Sequence, residues 1–307
     1  MNAPRPWQSA SDLARRRSRR VAWLVGAALL AFVALPSAAA SVEEGTPGSA
    51  GDAAPDDPGL ALTGEQIYDR VLGNRFKAYL ERISMHSGDR GGNVQNTVME
   101  LKYKDFRDES KRILSKVIMK YEAPQDVRHL GYLVINKEDG SEDQFVYRPS
   151  ARRVQRINLR GEAIFGTDFA FEDIIPQELE DATYNRLPDA ELDGRSVYVV
   201  EVVPKDQADS EYSKLDVYVS RDHFVALRVR YWDQDGIMIK EMNSDPESIT
   251  MYEHEEDGEP KQIWVAKSQK IVHLKLESWT ELVVEELDPS IKLKSRHFSE
   301  RELTKSH

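Results

Sequence analysis

The sequence predicts a mainly β domain, an antiparallel sheet or barrel, preceded by a segment that is not part of the fold. Three observations carry this. Roughly ten short stretches alternate apolar and polar side chains with period two, at hairpin spacing. Asp139-Gly140, Asp193-Gly194 and Asp235-Gly236 supply turn signals between them. The alternation of strands with long helices that marks a nucleotide-binding fold is missing.

The first forty residues read as an export signal. Arg15, Arg16, Arg17, Arg19 and Arg20 precede an apolar run from Val21 to Leu35, then Pro36, Ser37 and Ala38-Ala39-Ala40. The run is shorter and richer in alanine than a spanning helix requires. Cleavage is therefore expected near Ala40, and a soluble chain is expected in the periplasm. Ser18-Arg19-Arg20 leaves the Sec and twin-arginine routes both open. Residues 41–62 are rich in Glu, Asp, Gly, Pro and Ala, have little to bury, and are expected to form a disordered linker. The domain proper is expected over 63–307.

Thr63-Gly64-Glu65-Gln66 has the spacing of a capping box, and Ile67, Val71, Leu72, Phe76, Tyr79, Leu80 and Ile83 recur at helical intervals. One amphipathic helix is expected through Ile83, ended by Gly88, Gly91 and Gly92. Strands are then expected at 94–103, 112–121, 129–136, 144–148, 195–204, 214–220, 225–232, 236–242, 248–253, 262–272 and 280–286. In the second of these, Val117, Met119 and Tyr121 point one way and Lys116, Ile118 and Lys120 the other. Residues 161–179 break the rhythm. They read as a loop leading into a short helix, of the length that binding loops and lids have.

The net charge is −11, and the first forty residues carry six arginines against one aspartate, a surplus of five that leaves −16 on the rest. That balance argues against nucleic acid as a partner and against standing attachment to an anionic bilayer. The chain has no cysteine. Thiol catalysis and disulfides are excluded, and the fold must rest on a packed core. No nucleophile elbow, zinc-protease helix or phosphate-binding glycine loop occurs. His86, His129, His223, His254, His273 and His297 show no metal-ligand spacing. Asp168, Glu172 and Asp173 are candidate catalytic acids, but capping of the short helix is the simpler reading. Neither a cofactor nor a metal is expected, and the chain reads as a non-enzyme.

Val146-Tyr147-Arg148-Pro149 with Arg152-Arg153-Val154-Gln155-Arg156-Ile157, followed by Gly166-Thr167-Asp168-Phe169-Ala170-Phe171-Glu172-Asp173, resembles a pattern of the periplasmic outer-membrane lipoprotein-sorting-like proteins, relatives of the carrier LolA. The paired strands of residues 215–242 and the ending Phe298-Ser299-Glu300-Arg301-Glu302-Leu303 are similar to that family as well. The resemblance implies an incomplete, half-open antiparallel β-barrel with a helical lid, of the LolA/LolB kind, whose apolar cavity takes the acyl chains of a lipid or lipoprotein. It implies transient membrane contact, and an inner-membrane transporter of the resistance-nodulation-division type as a partner. A lipid-sensing regulatory module that binds a protein partner, or a hydrolase using the acids near Asp168, are the other readings.

The expected cavity wall is Val117, Met119, Tyr121, Tyr132, Phe145, Tyr147, Trp232, Ile237, Ile239 and Trp264. Phe165, Phe169, Phe171, Ile174 and Ile175 are expected on the lid. Arg152, Arg153 and Arg156 are expected either to meet an anionic head group or to anchor the lid through Asp168, Glu172 and Asp173.

Overall fold

A computed structural model describes residues 62–158, 161–175, 177–205, 210–256 and 258–305. The expected signal, and the expected linker up to Ala61, lie outside these residues. The described residues belong to one unit, Ala54–His307, and none of their helices is long and apolar enough to cross a membrane.

The chain enters through helix α1 (Gly64–Gly73). The Thr63 hydroxyl accepts from the Gln66 amide at 3.2 Å, and the Gln66 side chain accepts from the Thr63 amide at 2.9 Å, so the capping box forms as its spacing predicts. Ile67 is fully buried. The helix stops at Gly73, well short of Ile83. Phe76, Tyr79, Leu80 and Ile83 have helical spacing, yet Phe76 lies in the connection after the helix and the other three lie in strand β1 (Ala78–Asp89). Tertiary pairing decides here: β1 gains hydrogen-bonded ladders on both sides, with residues Val94–Asp105 and with residues Ser278–Asp288, which outweighs the local periodicity.

Strands β2 (Val94–Asp105), β3 (Ile113–Ala123), β4 (Gly131–Lys137), β5 (Glu142–Arg148) and β6 (Arg153–Arg156) follow as a meander. After the insertion that carries helix α2 (Phe171–Ile174) come β7 (Ala182–Leu192), β8 (Arg195–Pro204), β9 (Tyr212–Ser220), β10 (Ala226–Asp233) and β11 (Met238–Ser244). A separate hairpin, β12 (Ile249–Glu256) and β13 (Glu259–Ala266), precedes β14 (Ser268–His273) and β15 (Ser278–Asp288). The single strand expected at 262–272 is thus two strands in two sheets. Helix α3 (Glu300–Leu303) ends the fold, its first turn capped by Ser299.

Thirteen strands form one antiparallel sheet in the order β6-β5-β4-β3-β2-β1-β15-β14-β11-β10-β9-β8-β7. The outermost strands, β6 and β7, do not pair with each other, so the barrel is incomplete. Both borders are poor templates for another strand. β6 is four residues long with Arg153 and Arg156 exposed, and β7 carries Pro188 inside a register shift between Leu187 and Ala190.

The sheet buries both faces. On its inner face α1, the insertion 161–175 and the β12–β13 hairpin cover one continuous apolar core running from Tyr79, Met99 and Val117 to Val200, Val217 and Tyr231. On the outer face of β3 and β4, the C-terminal segment lays Leu293, Phe298 and Leu303 over Phe106, Ile118 and Leu133. Phe298 meets Phe106 edge-on at 5.7 Å between ring centroids. Lysines on the sheet secure this strap. Lys104 donates to the Leu293 carbonyl at 2.9 Å, and Lys120 donates to the carbonyls of Glu302 at 2.6 Å and Lys305 at 3.2 Å. The Glu302 carbonyl, in the last turn of the helix, thereby finds a cation, as helix ends favour.

Candidate functional site

The insertion between the two border strands lies on the inner face, packed into its apolar core. Ile164, Phe169 and Phe171 are buried to within 2 % of full burial, and Ile175 is nearly so. Phe171 packs edge-on against Tyr132 at 4.5 Å, and Tyr132 against Tyr121 at 6.1 Å. The loop folds on itself through a bridge between Ala163 and Ala170, with the Ile164 amide donating to the Phe169 carbonyl at 2.8 Å. Gly166 sits at φ +70, and a Cβ there would lie 2.0 Å from the Gln95 side-chain nitrogen, so the turn demands glycine.

Three groups of polar contacts hold this lid. At the first, the Phe165 carbonyl accepts from Gln95 and Thr97, both at 3.3 Å, and the Phe165 amide donates to the Tyr121 hydroxyl at 3.1 Å. At the second, buried Asp168 accepts from Ser278 at 2.5 Å and from Thr280 at 2.9 Å, and its amide lies 2.9 Å from the Thr280 oxygen. At the third, Asp173 accepts from the Tyr212 hydroxyl at 2.8 Å, Lys240 donates to that hydroxyl at 3.0 Å, and the Lys240 ammonium is 3.5 Å from Asp173. Burial, and then the Asp173 charge, raise the Tyr212 hydroxyl well above its ordinary range, so it stays a donor. Beside it Glu172 accepts from Ser210 at 2.7 Å and from the Glu211 amide at 3.1 Å.

Capping of α2 falls to Asp173, which accepts from the Ala170 amide at 2.7 Å. Asp168 instead joins the lid to β15. The three acids therefore act as lid fasteners. Among the described residues they meet hydroxyls, amides and Lys240, and not Arg152, Arg153 or Arg156. Arg156 pairs with Asp143, Arg152 occupies the β5–β6 turn at φ +50, and all three arginines are exposed. The arginines and the acids are not brought together.

Of the expected wall, the structure assembles Val117, Met119, Tyr121 and Tyr132 with Phe169 and Phe171 in the inner core, with Phe165, Ile174 and Ile239 packed at its margin. The others lie elsewhere. Phe145 and Tyr147 pack on the outer face under the C-terminal strap. Trp232 lies beneath the Lys214 ammonium at 4.6 Å, Ile237 is exposed at a turn, and Trp264 stacks on His223 at 3.9 Å. Period two separates two faces without saying which is inner, and here both faces of β5 are covered. The fasteners Gln95, Thr97, Tyr212, Lys240, Ser278 and Thr280 went unread in the sequence. Their signal is a polar residue at an inward position of a strand: Thr97 stands opposite Met85, and Thr280 opposite Ile271.

Where the lid meets β8 and β9, a cavity of about 40 Å³ is lined by Glu172, Ile175, Val202, Tyr212 and Leu215, among others. One water needs about 10–15 Å³ of such space, so the cavity has room for a few waters and is too small for a long acyl chain. The inner face around the lid is occupied by the protein's own side chains.

A family model described as "Uncharacterized protein"-like matches residues 114–305. No curated protein matches the chain. Among solved structures, an outer membrane lipoprotein-sorting protein domain from Vibrio parahaemolyticus superposes with a TM-score of 0.69 at 23% identity, covering 79% of this chain and 98% of that one. A DUF1329 family protein from Desulfovibrio piger gives 0.66 at 21%, covering 78% and 99%. A LolA superfamily protein from Nitrosomonas europaea gives 0.58 at 16%, covering 78% and 98%. The resemblance drawn from the Val146–Ile157 and Gly166–Asp173 segments and the open antiparallel sheet it implied are both borne out.

Proposed function

Because the chain belongs to the family whose model spans residues 114–305 and has the fold of the lipoprotein-sorting and LolA-superfamily proteins, we propose that it is a periplasmic carrier of acyl chains. In this reading a lipid or lipoprotein chain takes the place of the lid side chains on the inner face and is passed toward the outer membrane. The observation that carries the proposal is the lid itself. Ile164, Phe169 and Phe171 fill an apolar face, while the segment that bears them is fastened by discrete polar contacts rather than woven into the sheet.

The energetics suit exchange. Each methylene taken out of water is worth about 0.8 kcal/mol, so a sixteen-carbon chain gains on the order of 10 kcal/mol. An empty carrier with the same apolar wall exposed would be unstable and sticky. A lid that supplies Phe169 and Phe171 when cargo is absent covers that wall, and cargo competes with it for the same surface. The acids offer no comparable case for hydrolysis, since Asp168, Glu172 and Asp173 are each engaged in holding the lid. The family resemblance also supports a membrane transporter of the resistance-nodulation-division type as the partner.

Native mass spectrometry on the exported protein, with extraction of whatever co-purifies, tests this. A bound lipid or acylated protein that is lost in Phe169→Asp supports the carrier. A protein that stays empty, and takes up no lipid when offered membranes, overturns it. A donor-to-acceptor transfer assay separates a carrier from a sensor, which binds but does not pass cargo on.

A further inference from the structure

Six large apolar side chains are left exposed among the described residues: Val94, Ile237, Met251, Leu274, Leu276 and Val283. Singly scattered ones need no explanation, but four of these six share one rim of the sheet. Val94 follows the β1–β2 turn, Leu274 and Leu276 form the β14–β15 turn, and Ile237 ends the β10–β11 turn. Strand register sets the three turns side by side. Asp89 pairs with Ser278, which joins the first turn to the second, and Lys240 pairs with His273, which joins the second to the third. Contacts across the turns agree: Arg90 reaches Glu277 at 3.2 Å, and the Leu274 amide donates to the Ile239 carbonyl at 2.8 Å. The result is a row of aliphatic tips on three consecutive hairpins, with Val94 67 % and Leu276 62 % exposed.

The same rim is where the lid is fastened. Gln95 and Thr97 follow Val94, Ser278 and Thr280 follow Leu276, and Lys240 follows Ile237. Each hairpin thus presents an apolar tip outward and, within four residues, a polar fastener inward.

We propose that this rim docks on a lipid bilayer, with Val94, Ile237, Leu274 and Leu276 entering its outer apolar layer and the lid's fasteners held at the membrane surface. Protruding tips suit a deformable surface, whereas a folded partner would have to offer a matching groove for each of three turns. Acids outnumber bases around the tips: Asp89, Asp233, Asp235 and Glu277 against Arg90 and Lys275, a net of −2. That balance gives no attraction to anionic lipid, so the surface fitted is zwitterionic and the contact is apolar and weakly dependent on salt. The proposal deepens the carrier reading by naming where cargo is exchanged, but vesicle binding is measured without cargo.

Co-sedimentation of the purified protein with phosphatidylcholine vesicles, with and without added phosphatidylglycerol, is the test. The wild type is expected to sediment with both, no better when phosphatidylglycerol is present. Ile237→Ser with Leu276→Ser, at exposed positions where the melting temperature should hold, is expected to weaken binding on the order of tenfold. The same Ile237→Ser, Leu276→Ser variant should keep any co-purifying lipid in native mass spectrometry while losing vesicle binding, which keeps the failure of the carrier reading distinct from the failure of this one. Three results overturn the proposal: wild type that stays in the supernatant, as a protein-docking rim would; a double variant that sediments like wild type; or binding that requires phosphatidylglycerol and disappears with salt.

Discussion

Glu81 faces the same way as Tyr79 and Ile83 and stands opposite Leu101, so a carboxyl group lies on the apolar inner side of β1. Burial pushes it up to about 7. A carboxyl raised in the folded state binds its proton more tightly there than in the unfolded chain. Its contribution is therefore most favourable at low pH and is lost as pH climbs from the ordinary carboxylate range through about 7. Glu81→Gln should leave stability nearly unchanged at about pH 4 and raise it by up to about 3 kcal/mol at about pH 8. Urea denaturation midpoints at the two pH values check this, and a gain of equal size at both would show that ionisation is not the cause. Position 81 also shows where reading by residue type stops. Its inward orientation follows from alternation in β1, and that strand's spacing mimics a helix.

At the scale of elements, the lid and the C-terminal strap mirror each other across the sheet, and they were legible to different degrees. Val117, Met119 and Tyr121 alternate cleanly with Ile118 and Lys120, so β3 could be read in full. The face to which each set belongs could not, because the strap makes the outer side apolar as well. Phe145 and Tyr147, expected on the inner wall, lie on the outer face for that reason. The lid announced itself by breaking the period, and Phe169 and Phe171 by their apolar character within an acidic loop. Its fasteners lie more than a hundred residues away in the sequence for Asp168 and Thr280, a pairing that only the sheet order reveals. Two predictions belong here. Leu303, which the strap inserts against the sheet, is buried to 1 % exposure, and Leu303→Ala should cost about 2 to 5 kcal/mol in denaturant unfolding without altering lipid binding. Since the chain has no cysteine, Asp168→Cys with Thr280→Cys introduces the sole thiol pair. Its oxidation should abolish lipid uptake, and a reductant should restore it, as followed by native mass spectrometry.

For the molecule as a whole, the sheet order assigns the lid a further place. The strands that border the open side are β6 and β7, and the segment joining them in the chain is the lid. A closed barrel has fixed girth, because widening it means breaking a ladder of hydrogen bonds. Here the two borders can draw apart by a change of sheet curvature alone, with every ladder bond kept. The tether that runs between them is the piece that must leave before the interior can swell. In the carrier reading proposed above, releasing Asp168 and Asp173 would therefore unblock the wall and relax the span in one motion, so that capacity would follow the bulk of the cargo.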